Sequence, residues 1–172
     1  MKNLLILAFS FTISLGYAQS PKDYSNDVAN IDNIIAALYE VISGGPGEPR
    51  DWDRFLYLFS ADGKLIPTRK GPDGVFTYRY WTPAEYRDMF VSSRSTVGFY
   101  ELELNRVSEQ YGAIAHAFST YETRAEPNGP ATNRGINSIQ LMNDGKRWYV
   151  VNVFWSAESD GFPLPDNYLG KK

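Results

Sequence analysis

Few side chains in this sequence could move a proton or grip a charged group. His116 is the one histidine and cysteine is absent, which excludes disulfides, thiolate metal sites, a cysteine nucleophile and multi-histidine metal centres. A Ser-His-Asp triad would have to be built on His116 alone. No metal and no cofactor is therefore expected. His116 alternates with Ile114, Phe118 and Thr120 in a strand pattern, and one hairpin register sets Glu103 opposite it. Paired with a carboxylate, the imidazole would serve as a general acid or an anion anchor, which makes His116 the catalytic candidate. Otherwise it is a structural histidine on an edge or outer face. Asp53 with Glu101, Glu103 or Glu122 could form an acid–base carboxylate pair or a solvated rim, because no spacing forces any two of them together.

Asn137 and Asn152 are the polar candidates for a ligand pocket, with Tyr39, Trp52, Tyr57 and Phe154 as aromatic lining. Buried amides without partners are costly, so the two asparagines could instead bond each other and fix strand register. Aromatic residues at helical spacing could likewise be plain core. Gly44-Gly45-Pro46-Gly47 is no phosphate loop: it follows a helix, lacks a Lys-Ser/Thr ending and contains proline, and so reads as a helix stop. Asn128-Gly129-Pro130 lacks the hydroxyl residue of a glycosylation site.

The elements that must position these groups follow from periodicity. After Asp27, a plausible N-cap, apolar residues from Val28 through Ile31, Ile34, Ile35, Leu38 and Tyr39 to Ile42 recur at three- and four-residue steps, predicting an amphipathic helix. A second helix is predicted over Asp51 to Phe59 and stopped by Ala61-Asp62-Gly63. Lys64 to Pro67 and Val75 to Trp81 read as short strands. Thr82-Pro83-Ala84-Glu85 carries the cap, the first-turn proline and the capping-box acid of a third helix that fades by Ser93. From Phe99 the period changes to two, predicting four strands: Phe99 to Val107, Tyr111 to Thr123, Gly135 to Met142 and Arg147 to Trp155. Ser108-Glu109-Gln110 and Asn143-Asp144-Gly145-Lys146 are the predicted turns.

With Asn143 facing Lys146, Leu141 meets Trp148, Ile139 meets Val150 and Asn137 meets Asn152. Opposed side chains share a face, so these residues and Phe154 are assigned to the interior. The other face, with Ile136, Tyr149, Val151, Val153 and Trp155, is too apolar for a fully wetted surface and predicts a homodimer contact. Helices first and long strands last predict a segregated α+β fold, a curved antiparallel sheet of about four long strands plus short ones, covered by three N-terminal helices. The hollow between the layers is the expected place for a small ligand.

Formal charge is −3, from 17 Lys and Arg against 20 Asp and Glu, with no basic block, so nucleic-acid binding has no electrostatic footprint. Met1-Lys2-Asn3, the apolar run Leu4 to Leu15 and Gly16-Tyr17-Ala18 read as a secretory signal peptide over 1–18. The run falls short of the roughly 20 residues a membrane span needs, so the expectation is a soluble, exported protein, periplasmic or extracellular, with no membrane association after cleavage. Residues 19–26 are expected to form a disordered arm, 27–158 the single folded domain, and 159–172 a tail packed on the surface.

The order of elements, with Asp51-Trp52-Asp53-Arg54-Phe55-Leu56-Tyr57-Leu58-Phe59 before Ala61-Asp62-Gly63-Lys64-Leu65-Ile66 and the closing Trp148-Tyr149-Val150-Val151-Asn152-Val153-Phe154-Trp155-Ser156 strand, resembles the nuclear transport factor 2-like superfamily, and within it the SnoaL-like branch. The resemblance spans about residues 27 to 158. It implies a cone-shaped, cystatin-like α+β barrel, usually dimeric, with a cavity between helices and sheet. Superfamily members include ketosteroid isomerase, scytalone dehydratase, limonene epoxide hydrolase and polyketide cyclases beside many non-catalytic binders. SnoaL-like relatives often carry histidines near the end of the last strand, where this sequence has Asn152 and Phe154. The departure argues against histidine-based catalysis. Two functions are thus expected: binding of a small, partly apolar ligand in the cone, or a cofactor-independent lyase, isomerase or hydrolase using His116 or a carboxylate as base.

Overall fold

The computed structural model describes residues 22–93 and 96–170; the leader expected over 1–18 and the start of the arm lie outside them. The elements run α1 (Ile31–Ile42), α2 (Trp52–Leu58), β1 (Phe59–Lys70), β2 (Phe76–Tyr78), α3 (Pro83–Ser93), β3 (Tyr100–Tyr111), β4 (Ile114–Arg124), β5 (Ala131–Asn143) and β6 (Trp148–Ala157). Six strands form one sheet in the order β2-β1-β6-β5-β4-β3. Its inner face and the three helices share one core, centred on Ile34, Ile35, Phe55, Leu58, Ile139 and Val150, all fully buried.

α1 starts later than predicted. Asn30, not Asp27, is its cap and accepts from Asn33 N–H at 2.8 Å. Asp27 sits in a single 3-10 turn (Ser25–Val28) and accepts from the Arg54 guanidinium at 2.7 and 2.9 Å. A two-pronged charged partner outcompetes one backbone N–H. Within the segment expected to fray, Lys22 and the Tyr24 hydroxyl both donate to Asp51, at 2.8 and 3.0 Å, and Asp51 also caps α2. The capping box of α3 forms as predicted, with Thr82 N–H donating to Glu85 at 2.8 Å and Glu85 N–H to Thr82 Oγ1 at 3.2 Å.

The sheet is mixed rather than antiparallel, because β1 pairs parallel to β6. β1 is also longer than the strand predicted over Lys64 to Pro67. It absorbs Ala61-Asp62-Gly63 in an irregularity between Phe59 and Lys64, so these turn residues make a bulge instead of a stop. The β3–β4 turn is Gly112-Ala113, flanked by the Tyr111↔Ile114 pair, not Ser108 to Gln110. Gly112 supplies the φ of +55° that the tight turn needs.

The β5–β6 register departs from prediction by two residues at the turn. Asp144 accepts from the N–H groups of Lys146 and Arg147 at 2.8 and 2.9 Å, which widens the loop so that Asn143 pairs with Trp148. Beyond it Leu141 pairs with Val150 but Gln140 pairs with Asn152, leaving Val151 as an unpaired bulge residue. One extra residue inverts the facing of everything after it. Trp148 and Val150 point inward as expected. Val153 and Trp155 also point inward, leaving the predicted outer dimer patch with Ile136, Tyr149 and Val151. Asn152 and Phe154 point outward, opposite Gln140 and Ser138. The C-terminal tail crosses this outer face: Thr120 Oγ1 donates to the Tyr168 carbonyl at 2.6 Å, and Phe118 meets the Tyr168 ring.

Gly135 is required by close approach. A Cβ there would lie 2.3 Å from the Ser156 carbonyl and 2.6 Å from the Tyr121 hydroxyl. Gly135→Ala should therefore destabilise the protein by about 1–3 kcal/mol through overpacking, read as a lower denaturant midpoint at unchanged slope. A variant as stable as the parent would show that the β5–β6 contact is looser than described.

Candidate functional site

Between the helices and the concave sheet lies a cavity of about 470 Å³. Aromatic rings make a large part of its wall. Phe55 on α2 stacks on Tyr86 of α3 (5.7 Å), Phe90 meets Phe99 edge-on (5.3 Å), and Tyr86 meets Trp155 edge-on (6.4 Å). Trp81, just before α3, completes the wall. Ser93 and Thr132 are exposed at one end. Tyr39, Glu101 and Asn137 form a polar corner of the inner wall.

Each polar group there is placed by a different element. Tyr39 is on the buried face of α1 and is 5% exposed. Glu101 is at the start of β3, where Ser43 at the end of α1 holds its backbone: Glu101 N–H donates to Ser43 Oγ at 2.9 Å, and that hydroxyl donates to the Tyr39 carbonyl at 2.7 Å. Asn137 is on the inner face of β5, 6% exposed. Its amide nitrogen donates to the Tyr39 hydroxyl at 3.0 Å and to Glu101 Oε1 at 3.1 Å. Behind Tyr39, fully buried Ser119 of β4 lies 2.7 Å from the phenol oxygen and donates to Glu103 Oε1 at 2.5 Å. Arg106 lies 3.3 Å from the same Glu103 oxygen and also pairs with Asp32, whose side chain is in solvent. A hydrogen-bonded chain thus runs from the cavity to the surface.

Of the residues singled out from sequence, the structure brings Tyr39 and Asn137 together in the cavity wall. Asn152 and Phe154 are on the outer face for the reason given above. Trp52 packs against Phe55 and Phe90 in the core behind the wall. Tyr57 is 38% exposed and stacks on the Arg147 guanidinium at 4.0 Å. His116 points outward, half-exposed, opposite Glu109 rather than Glu103, with Nε2 3.4 Å from the Glu109 carboxylate, so it cannot act inside the cavity. Asp53 is exposed and Glu122 is tied to Arg124 outside; of the four acids weighed, only Glu101 lines the cavity. Trp81, Tyr121 and Trp155 also line it, unforeseen. The Glu101-Leu102-Glu103-Leu104 alternation could have signalled inward acids, but hydrophobicity alone assigns the leucines inside, whereas both are more than a third exposed.

Burial first, and the charge of Glu101 second, push the Tyr39 phenol far above the ordinary tyrosine value, against the opposing pull of its hydrogen bonds with Ser119 and Asn137. Tyr121 is raised for the same two leading reasons. A raised folded-state pKa stabilises the fold fully below the unfolded value of about 10, and that contribution is lost as pH rises above it. Ultraviolet titration of the folded protein should show tyrosines that resist ionisation past pH 10. Tyr39→Phe should abolish one such tyrosine and flatten the alkaline loss of stability. An unchanged titration would place Tyr39 in water.

No protein-family model and no curated protein matches the chain. Solved structures do match in fold. A protein of unknown function with a cystatin-like fold from Nostoc punctiforme is 16% identical, with a TM-score of 0.56 over 74% of this chain and 87% of its own. A candidate ketosteroid isomerase from Parabacteroides distasonis is 13% identical, with a TM-score of 0.50 over 77% and 96%. An NTF-2-like protein of unknown function from Silicibacter pomeroyi is 10% identical, with a TM-score of 0.50 over 74% and 92%. The chain therefore has the nuclear transport factor 2-like, cystatin-like fold.

Proposed function

We propose that the protein is exported and holds a small, partly apolar molecule in the cone cavity, its ring system against the aromatic wall and its polar group at Asn137 and Glu101. The observation that carries this reading is the cavity itself. It has a volume typical of small-ligand sites, is walled in part by Phe55, Tyr86, Phe90 and Trp155, and carries the hydrogen-bonded Asn137 and Glu101 in its lining. Export is supported by the leader pattern over 1–18.

A second reading is favoured by one group. Glu101 is a carboxylate in the cavity wall, oriented by the Asn137 amide, and could take a proton from a bound substrate. A lyase, isomerase or hydrolase of this kind would use Glu101 in place of His116. The match to a candidate ketosteroid isomerase concerns fold alone and does not decide between the readings.

Small bicyclic aromatics test the first reading. Indole at a hundredfold excess over its Kd should stabilise the protein by about 2.7 kcal/mol, raising Tm by several degrees. Asn137→Leu should weaken binding roughly tenfold, the worth of one buried hydrogen bond. If indole and a panel of similar molecules leave Tm unmoved, the binding reading is wrong. For the second reading, Glu101→Gln should retain binding and abolish any turnover found; equal turnover would exclude Glu101 as base.

A further inference from the structure

The hydrogens of the inner polar end can be assigned from bonding rules alone. A carboxylate only accepts, a hydroxyl has one proton, and an amide nitrogen has two. Glu103, facing Arg106, must accept from Ser119, which spends the single Ser119 proton. The 2.7 Å contact between Ser119 and Tyr39 therefore requires Tyr39 to donate. The phenol proton then points into the protein, behind the cavity wall. The amide of Asn137 is fixed in turn, since Glu101 can only accept: its nitrogen faces Glu101 and the Tyr39 oxygen, spending both N–H groups. Asn137 Oδ1 is thereby left as the accepting atom of the amide. The mouth repeats the pattern. Thr132 donates to the Thr123 carbonyl at 3.0 Å, so Thr123 donates to Thr132 across their 2.9 Å contact.

We infer that Ser119 and Glu103, which do not touch the cavity, set the polarity of its inner end: they hold the Tyr39 proton away, so that Tyr39 and Asn137 offer lone pairs and the site selects ligands bearing an N–H or O–H group over ligands bearing only a carbonyl or ether oxygen. The inference rests on the binding reading above. Ser119 and Glu103 are positioning residues. A ligand carbonyl at this corner would meet Asn137 Oδ1 and find no proton, a mismatch that buried sites reject strongly. Tyr86 and Tyr121, the latter reaching over Gly135, are separate phenols in the wall, and the test must remove both.

Near-isosteric probes provide the test. Indole carries an N–H, benzofuran an ether oxygen and 1-indanone a carbonyl. By calorimetry, in the parent protein and in the Tyr86→Phe/Tyr121→Phe double variant, indole should bind about tenfold or more tighter than either of the others. Ser119→Ala releases the Tyr39 proton, and Tyr39→Phe releases one Asn137 N–H. Each should narrow the preference by improving 1-indanone binding several-fold, a gain that simple damage to the fold would not produce. Two variants acting through different atoms keep the test open if one fails to fold. Equal affinity of the three probes in the parent protein, or a preference unmoved by either variant, overturns the inference and leaves the binding reading standing. Failure of all three probes to bind overturns the binding reading, and the inference falls with it.

Discussion

Two unpaired residues phase the cavity. Leu104 in β3 and Val151 in β6 each oppose a partner strand that has no residue for them. A β-bulge bends its strand, sharpens the local twist and exchanges the two faces beyond it. Ahead of the first, Glu101 and Glu103 face inward; behind it, Arg106 takes the inner position, opposite Ser119. Ahead of the second, Trp148 and Val150 face inward; behind it, Val153 and Trp155 do. Were β6 regular, Asn152 and Phe154 would occupy the cavity wall and Trp155 the outer surface. The wall chemistry of the cone is thus a consequence of where the ladder slips.

The polar end of the cavity survives burial because its hydroxyls and the Asn137 amide nitrogen are hydrogen-bonded. Tyr39, Ser119 and Asn137 lie in the core, where each unpaired group would cost about 1–3 kcal/mol. The chain they form gives every donor of the three a partner and leads to Glu103 and Arg106, which reach toward solvent. Three elements remote in sequence meet there: Asn137 is 98 residues from Tyr39, and Ser119 is 80. A buried network of this type specifies one arrangement of α1 against β4 and β5 more sharply than apolar contact alone. It also answers the question of what partners Asn137: not Asn152, but a tyrosine and a carboxylate.

What could be read from the sequence divides along the range of the interactions involved. The helices and the four late strands rest on local periodicity, and the α3 cap on residues three apart, so each was recoverable to within a few positions. Asp27 failed as a cap because its partner, Arg54, is distant in sequence. The turn at Asp144 failed because a side chain accepting two backbone N–H groups competes with the two-residue hairpin that Asp-Gly suggests. The β1–β6 pairing, the only parallel one among the described strands, leaves no local trace. Asn137 and Tyr39 were legible as polar or amphipathic residues in otherwise apolar stripes. Asn152 was misplaced by the single bulge at Val151, and Glu101 was visible only as one of four interchangeable acids.

The same reasoning bears on what the shared fold implies. A shared fold does not fix activity, so activity must be read from the groups and hydrogen positions inside the cavity. A reaction that builds negative charge on a substrate oxygen needs a proton aimed at that oxygen. Here the Tyr39 proton is committed to Ser119, and both Asn137 N–H groups are committed to Tyr39 and Glu101. Bringing Tyr39 into such a role would first require breaking its bond to Ser119 and leaving a buried hydroxyl oxygen without its donor. The inner end is arranged to receive a hydrogen, and a molecule that supplies one completes the network without disturbing any bond already made.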